Sequence, residues 1–364
     1  MVEHHQSTRK TIRFNEITDK EEEDHISLLP DCLLIDIISR LPDTKEAIRT
    51  GTLSKRWQHL WPQIHNLIFS LDMSIWDWND QRLSDFVSFV DKTLTQCRQS
   101  NLTKFKLFVS YDTQFQSHVN NWIRYAFSCN VQDLDLSILN KFLEVEFVLD
   151  QFFFINSSFT RLKLDDCVFN PSGAISWSNL NRLFISKGKL DDGLIKNILS
   201  GSPLLGTLEL YHCYGFGRID ITSKSVKKLV IGGYSDPEDE LDLAHIVEIN
   251  APHIMSLQII LDFSLWKLVL LNVSSLVETE LDYWKGGHYE ITRKDWEEQM
   301  LEGLILSLRH VKKLQIGYHC LTTLASLEAK GFTFPSNMEH PDWPDYVSSE
   351  SEDWSTNEST EIGY

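Results

Sequence analysis

The chain has no long hydrophobic run, no paired cysteines and no excess of basic charge, and each gap removes a class of function. Its greasiest segments, "QFFFI" at 151–155 and "LWKLVLL" at 265–271, fall far short of the ~20 apolar residues that cross a bilayer. The opening "MVEHHQSTRKTIRFNE" lacks the apolar stretch of a secretory leader, so the expected location is the nucleus, the cytoplasm or both. Off the secretory route, the Asn-x-Ser/Thr triplets at Asn101, Asn156, Asn272 and Asn357 are chance matches.

The six cysteines are scattered with no CxxC spacing, which excludes a zinc-ribbon pattern and a disulfide scaffold. His212-Cys213 and His319-Cys320 are neighbours in sequence, and adjacent side chains rarely converge on one ion, so no metal is expected. With 34 basic against 52 acidic residues the net charge is −18, which argues against binding a polyanion through bulk charge. GxxxxGK[S/T], HExxH, GxSxG and GxGxxG are all absent. The carboxylate pairs Asp165-Asp166 and Asp191-Asp192 fall where strand ends and helix caps explain them. The chain reads as a non-enzyme without a cofactor.

What is present is ample apolar material: 42% hydrophobic residues over 364, with 11 Trp and 20 Phe. Residues 1–23 are polar and read as a disordered arm. Residues 336–364 read as a flexible acidic tail: from Glu339 to Tyr364 there are eight acidic residues and no Lys or Arg. Trp343, Tyr346 and Trp354 are its possible docking points.

Between these ends the chain divides. Residues 24–71 are expected to be helical. In "PDCLLIDIISRLP" the apolar positions Leu33, Leu34, Ile37, Ile38 and Leu41 form one helical face. Pro30 suits the first turn and Pro42 stops the helix after Leu41. A second helix starts at Asp43 or Thr44 and is weakened by Gly51. Ser54 is placed to cap a third, "KRWQHLW", which puts Trp57, Leu60 and Trp61 on one side. Such a unit has a very small core and calls for a partner. Residues 72–100 read as a linker helix.

Residues 101–335 are repetitive. Apolar-x-x-apolar-x-apolar recurs as "LTKFKL", "VQDLDL", "FTRLKL", "LNRLFI", "LGTLEL", "VKKLVI", "IMSLQI" and "VKKLQI", with a degenerate "LVETEL" before the last. The fourth positions are Phe105, Leu134, Leu162, Leu183, Leu208, Leu229, Leu257, Thr279 and Leu314. Their spacings of 29, 28, 21, 25, 21, 28, 22 and 35 lie close to the ~20–29 residues of a leucine-rich repeat. Each L-x-L predicts a short strand with its leucines inward. Helical stripes precede two of them: Val119, Trp122, Ile123 and Ala126, and Trp296, Met300, Leu301, Leu304, Ile305 and Leu308. The expected fold is α/β: a helical unit followed by a solenoid with parallel strands on the concave face and helices and loops on the convex face. Cys167 and Cys213 sit at the N/C position of the repeat and should be buried.

Residues 26–61, "ISLLPDCLLIDIISRLPDTKEAIRTGTLSKRWQHLW", closely resemble the F-box of plant F-box proteins with leucine-rich repeats. The resemblance rests on Leu29-Pro30, Leu33-Leu34, Ile37, Leu41-Pro42, the run Leu53-Ser54-Lys55-Arg56-Trp57 and Leu60-Trp61, and separately on the repeats over about 102–334. It departs at Gly51 and at the repeat around Thr279. Longer family members carry a further C-terminal domain, which is expected to be absent or truncated here. The resemblance implies a non-catalytic subunit of an SCF-type ubiquitin ligase. The F-box would dock on a Skp-family adaptor, and through it on cullin and RING subunits, while the repeats capture an unknown protein target. The adaptor contacts it implies are Leu29, Pro30, Leu33, Leu34, Ile37, Leu41, Pro42, Leu53, Trp57, Leu60 and Trp61, some of them internal to the F-box.

Target contacts are expected on the concave face, at residues flanking the central repeat positions: Lys104, Lys106, Asp133, Asp135, Arg161, Lys163, Arg182, Phe184, Glu209 and Lys228. The first three repeats there should present basic, acidic and basic rows to a partner. Two other readings keep the fold. One is a scaffold whose F-box holds an adaptor without cullin. The other is a nucleic-acid binder, against which seven flanking cations, including Lys313, are set beside five flanking carboxylates, including Glu278 and Glu280. No nucleic-acid or membrane partner is expected.

Overall fold

A computed structural model describes residues 25–26, 28–71, 80–97, 101–111, 113–140, 146–233, 246–261, 267–283 and 294–336. The N-terminal arm and the acidic segment beyond Ser336 lie outside these residues. The chain opens with helices α1 (Asp31–Ser39), α2 (Thr44–Arg49) and α3 (Lys55–Leu60). There follow β1 (Asn66–Leu71), α4 (Asp80–Gln96), β2 (Lys104–Tyr111), α5 (Gln116–Ser128), β3 (Asp133–Asn140), β4 (Phe147–Val148), β5 (Arg161–Asp165), β6 (Cys167–Val168) and β7 (Arg182–Ser186). The second half runs α6 (Asp192–Gly201), β8 (Thr207–Tyr211), β9 (Arg218–Asp220), β10 (Lys228–Gly232), β11 (Ile246–Asn250), β12 (Ser256–Leu261) and β13 (Lys267–Leu271). It closes with β14 (Glu278–Tyr283), α7 (Lys294–Ser307), β15 (Lys313–Ile316) and α8 (Tyr318–Ala329).

One ten-stranded sheet, in the order β1-β2-β3-β5-β7-β8-β10-β12-β14-β15, carries the molecule. Every pairing in it is parallel and in register. Leu67, Phe105, Leu134, Leu162, Leu183, Leu208, Leu229, Leu257, Thr279 and Leu314 therefore form one column. All but the half-buried Leu314 are buried. A second inward column runs two residues further on. A leucine moved from water into such a core contributes about 1.5–3 kcal/mol, so these columns set the register: a slip by one residue would turn each leucine outward. The degenerate repeat is a full strand, with Thr279 buried in the column.

Four of the turns leave the sheet in the same way. Asp166, Lys187, His212 and Gly233 directly follow β5, β7, β8 and β10, and all have positive φ. The bend carries the chain off the sheet while its N–H still bonds the next rung: Asp166 donates to Ser186, Lys187 to Tyr211, His212 to Gly232 and Gly233 to Ile260. At strand entry one carbonyl accepts two N–H groups in repeat after repeat. Gln132 accepts from Thr160 and Arg161, Thr160 from Asn181 and Arg182, and Asn181 from Gly206 and Thr207.

The convex side departs from the expectation of helices and loops alone. Where the repeat spacing is 29, 25 or 35 residues it holds α5, α6 or α7. Several other repeats carry short strands there instead, and β13, β11 and β9 pair as a second parallel sheet. Outside it Arg218 donates to Asp220 and Glu248, the Asn272 side-chain amide donates to Asn250 Oδ1, and that of Asn250 donates to Asp220 Oδ1. "QFFFI" becomes a 3-10 turn whose Phe153 and Phe154 pack on Trp177, and the Trp177 indole donates to Phe153 O at 3.0 Å. Cys167 and Cys213 are buried against neighbouring carbonyls as expected. Asp191 caps α6 by accepting from Leu194 N at 2.7 Å.

Two expectations are corrected. The sheet begins at Asn66, inside the span assigned to the helical unit, because Leu67-x-Phe69 pairs residue for residue with Phe105-x-Leu107. The helix in the expected linker, α4, buries Leu83, Phe86, Val87, Val90 and Leu94 in the common core. It is a repeat helix. The free edge of β1 is met by the helical unit: Ile68 N donates to Thr44 Oγ1 at 2.8 Å, His65 N to Ser39 Oγ at 3.1 Å, and Asn66 Nδ2 to Ser39 O at 2.7 Å. Ser39 and Thr44 are both buried. Replacing Thr44 with Val keeps the shape and strands the Ile68 amide, which should cost about 1–3 kcal/mol. Urea unfolding of the full chain reads this as a lower midpoint at unchanged slope, and an unmoved midpoint would remove the bond from the account.

Candidate functional site

Two surfaces stand out, one on the helical unit and one on the sheet. In α1 the aliphatic stripe divides. Leu34 and Ile38 point inward and are buried with Ala47, Trp57, Leu60, Trp61 and Ile64. Leu33 and Ile37, at i and i+4 on the same flank, remain 48% and 44% exposed. Leu53, in the turn before α3, is 66% exposed, and Leu28 ahead of α1 is 74% exposed. Of the eleven residues implied as adaptor contacts, Leu34, Trp57, Leu60 and Trp61 are thus core residues of this chain. Pro30, Leu33, Ile37, Pro42 and Leu53 are exposed, and Leu29 and Leu41 are half-buried. Ile26 and Leu28 extend the exposed apolar set beyond the implied contacts.

Local chemistry fixes the unit. Asp43 caps α2 by accepting from Glu46 N at 2.8 Å, whereas Ser54 occupies the cap position of α3 without a side-chain bond. Helix α1 stops at Ser39, two residues before the expected end, since the residue preceding Pro42 is driven out of the α region. Arg56 ties α3 back to the start of α1 through Asp31 Oδ1 at 2.8 Å (from Nε) and Leu29 O at 2.5 Å. Gly51 sits buried in a 3-10 turn beside Trp61, which accounts for a poor helix former at that position.

On the sheet, the residues expected to meet a target do face outward, in two aligned rows. Lys104, Asp133, Arg161, Arg182 and Lys228 share one row; Lys106, Asp135, Lys163, Phe184 and Glu209 share the other. The expected free bands of alternating charge are not what the face presents. Asp133 lies 3.1 Å from Arg161 and 3.8 Å from Lys104, and Asp135 lies 3.6 Å from Lys106 and 4.0 Å from Lys163. Their side chains are only 15% and 10% exposed, so the acidic row is an internal counterion beneath the cations. Arg182 pairs with Glu209 at 3.1 Å.

Tyr211, not foreseen as a site residue, stacks on Phe184 with centroids 5.1 Å apart. Its place was readable: it lies three residues past Leu208 and so shares the outward parity of Glu209. A Cβ on Gly232 would sit 2.3 Å from the Tyr211 ring, so glycine on the next strand makes room for it. Burial, and then the Glu209 and Glu280 carboxylates, raise the Tyr211 pKa. Further along, Lys228, Gln258, Glu278, Glu280 and Lys313 line a hollow of about 90 Å³, the scale of a few waters. Burial pushes the Cys213 thiol up to about 12, which keeps it a packing group. Among the described residues no three His, Cys, Asp or Glu side chains are placed to hold a metal, and no helix is long and apolar enough to cross a membrane.

The two flanks of α1 should separate in stability measurements. Leu34→Ala should cost about 2–5 kcal/mol by opening a cavity, and Leu33→Ala should stay within about 0.5 kcal/mol as a surface change. Equal losses in chemical denaturation would contradict the inner and outer assignment.

Known proteins carry the same combination. The family profile for the LRR repeats of the FBD-associated F-box protein At5g56370 matches residues 119–269. The chain is 34% identical over 321 residues to a putative F-box protein, At1g49610, of Arabidopsis thaliana, covering 86% of this chain and 75% of that one. It is 34% identical over 316 residues to the putative F-box/LRR-repeat protein At3g18150 of the same plant, covering 87% of this chain and 64% of the relative. F-box/LRR-repeat protein 25, also of Arabidopsis thaliana, is 34% identical over 254 residues, which span 68% of this chain and 90% of that protein. A ten-stranded parallel leucine-repeat sheet, led by three short helices with an exposed aliphatic flank, agrees with these matches: the chain belongs to the plant F-box/leucine-rich-repeat family.

Proposed function

We propose that this chain is the target-recognition subunit of an SCF-type ubiquitin ligase, binding a Skp-family adaptor through its helical unit and a protein target through its sheet. The observation that carries the reading is the outward flank of α1. Leu33 and Ile37, with Leu28 and Leu53, are large aliphatic side chains left in water on a unit whose own core is already filled by Leu34, Ile38, Trp57, Leu60 and Trp61. Buried aliphatic anchors of this kind dominate interface energies. The adaptor would link the chain to cullin and RING subunits.

The role needs no catalytic residue. Holding a target lysine beside a charged conjugating enzyme turns a bimolecular encounter into an effectively intramolecular one. Such a device works best when its two binding surfaces are fixed relative to one another. Here the helical unit hydrogen-bonds to β1 of the same sheet that offers the second surface. The reading carries with it a nuclear or cytoplasmic site of action.

Ile37→Glu combined with Leu53→Glu should leave the circular dichroism and melting of the chain unchanged, since both side chains are exposed. It should weaken capture of a co-expressed Skp-family adaptor by about 100-fold or more, because a charge would be buried unpaired at an apolar contact. Full adaptor recovery by that variant would refute the docking surface. Adaptor capture without ubiquitin transfer, in a reaction reconstituted with cullin, RING and conjugating enzyme, would separate adaptor binding from ligase function.

A further inference from the structure

We infer that the outward sheet face over β2, β3, β5 and β7 takes an extended target segment in which acidic residues are followed by an aromatic one; this rests on the target-recognition role above. The first ground is a charge imbalance. Among the described residues, Lys104, Lys106, Arg161 and Lys163 share the carboxylates of Asp133 and Asp135. The cations keep side-chain exposures of 34%, 36%, 56% and 43%, while both carboxylates lie beneath them. These cations meet solvent above their two counterions, in a chain whose net charge is −18, and the half-buried Asp165 lies one row beyond them on β5. At contact the local patch prevails over the distant acidic groups, because screening limits their reach to about 8–10 Å at cellular salt.

The second ground is the extent of the patch. Four neighbouring strands spaced about 4.8 Å apart give a band of roughly 14–19 Å, matched by about five residues of extended chain. A long polyanion would overrun it onto Glu209 and Glu280, which share one row further along the face. A short acidic run would not.

The third ground is the aromatic step at the boundary. The Lys163 ammonium lies 5.1 Å from the Phe184 ring centroid, and Tyr211 stacks on the far side of that ring's strand. Both rings are half-buried, with exposed surface to offer. An aromatic side chain arriving here would find ring partners, at a position where a further carboxylate would meet Glu209. The order of charge along the sheet therefore sets a direction: acids over β2 to β5, then an aromatic at β7 and β8. Charge order of this kind acts through specificity more than affinity.

The test uses the full chain co-purified with its adaptor and a fluorescein-labelled peptide of about five alternating Asp and Glu residues followed by Trp. Fluorescence anisotropy should show saturable binding that weakens by about 10-fold or more between 50 and 500 mM salt. The same sequence reversed, and a version with Lys in place of the acids, should bind at least about 10-fold more weakly. Arg161→Glu with Lys163→Glu should abolish binding, and the milder Arg161→Gln with Lys163→Gln should reduce it by several-fold while melting as the parent does. Equal affinity for the forward, reversed and basic peptides, or unchanged affinity in a folded glutamine variant, overturns the inference. Binding seen only after removal of residues 337–364 also overturns it, by showing that the chain's own acidic segment is the occupant. Adaptor capture, measured on the same preparations, reports on the ligase reading separately: a chain that holds its adaptor and ignores the peptide loses this inference alone.

Discussion

The hydrogen bond from the Ile68 amide to the buried Thr44 hydroxyl, with its neighbours at Ser39, is the constraint on which the arrangement depends. A parallel sheet ends in an open edge, whose amides must find partners or stay in water. Here β1 meets side chains of the α1–α2 segment on one side and β2 on the other. One contiguous set of buried residues then runs from Leu34 to Leu327. The three small helices, too few to form a stable core alone, borrow their stability from the repeat core, and the repeats gain a cap.

That junction gives the two surfaces a mechanical relation. The exposed aliphatic flank of α1 and the outward rows of the sheet belong to one packed body, so a partner on one is held at a set distance from a partner on the other. Within the sheet, paired carboxylates under the cations hold neighbouring strands in charge register without needing a partner. Their cations are exposed enough that each pair contributes little to stability. Their larger consequence is that they leave a positive surplus pointing outward.

Much of this was legible from sequence, and the rest failed for identifiable reasons. The nine L-x-L-like positions from Phe105 to Leu314 mark nine strands, because period-two alternation at a fixed repeat is hard to produce otherwise. The tenth, Leu67-x-Phe69, was hidden by its place directly after three helices with no earlier repeat to align it. In α1 the periodicity found the helix but could not divide its flanks. Leu33, Leu34, Ile37 and Ile38 make a stripe wide enough to face two ways, and only the packing of Trp57, Leu60 and Trp61 chooses Leu34 and Ile38. Parity put Asp133 and Asp135 on the outer face correctly, yet parity is silent on how far long cationic side chains reach across to neighbouring strands. The spacing of repeats alone did not tell which would carry a helix: a 25-residue interval holds α6, whereas the two 28-residue intervals carry the short convex strands β4 and β11.

Hydrogen–deuterium exchange on the full chain, with and without a Skp-family adaptor, tests the central claim most directly. The account predicts added protection confined to residues 28–38 and the turn around Leu53, with the amides of β2 to β8 unchanged because the proposed target face takes no part in adaptor docking. Protection spread over those strands, or none in α1, would contradict it.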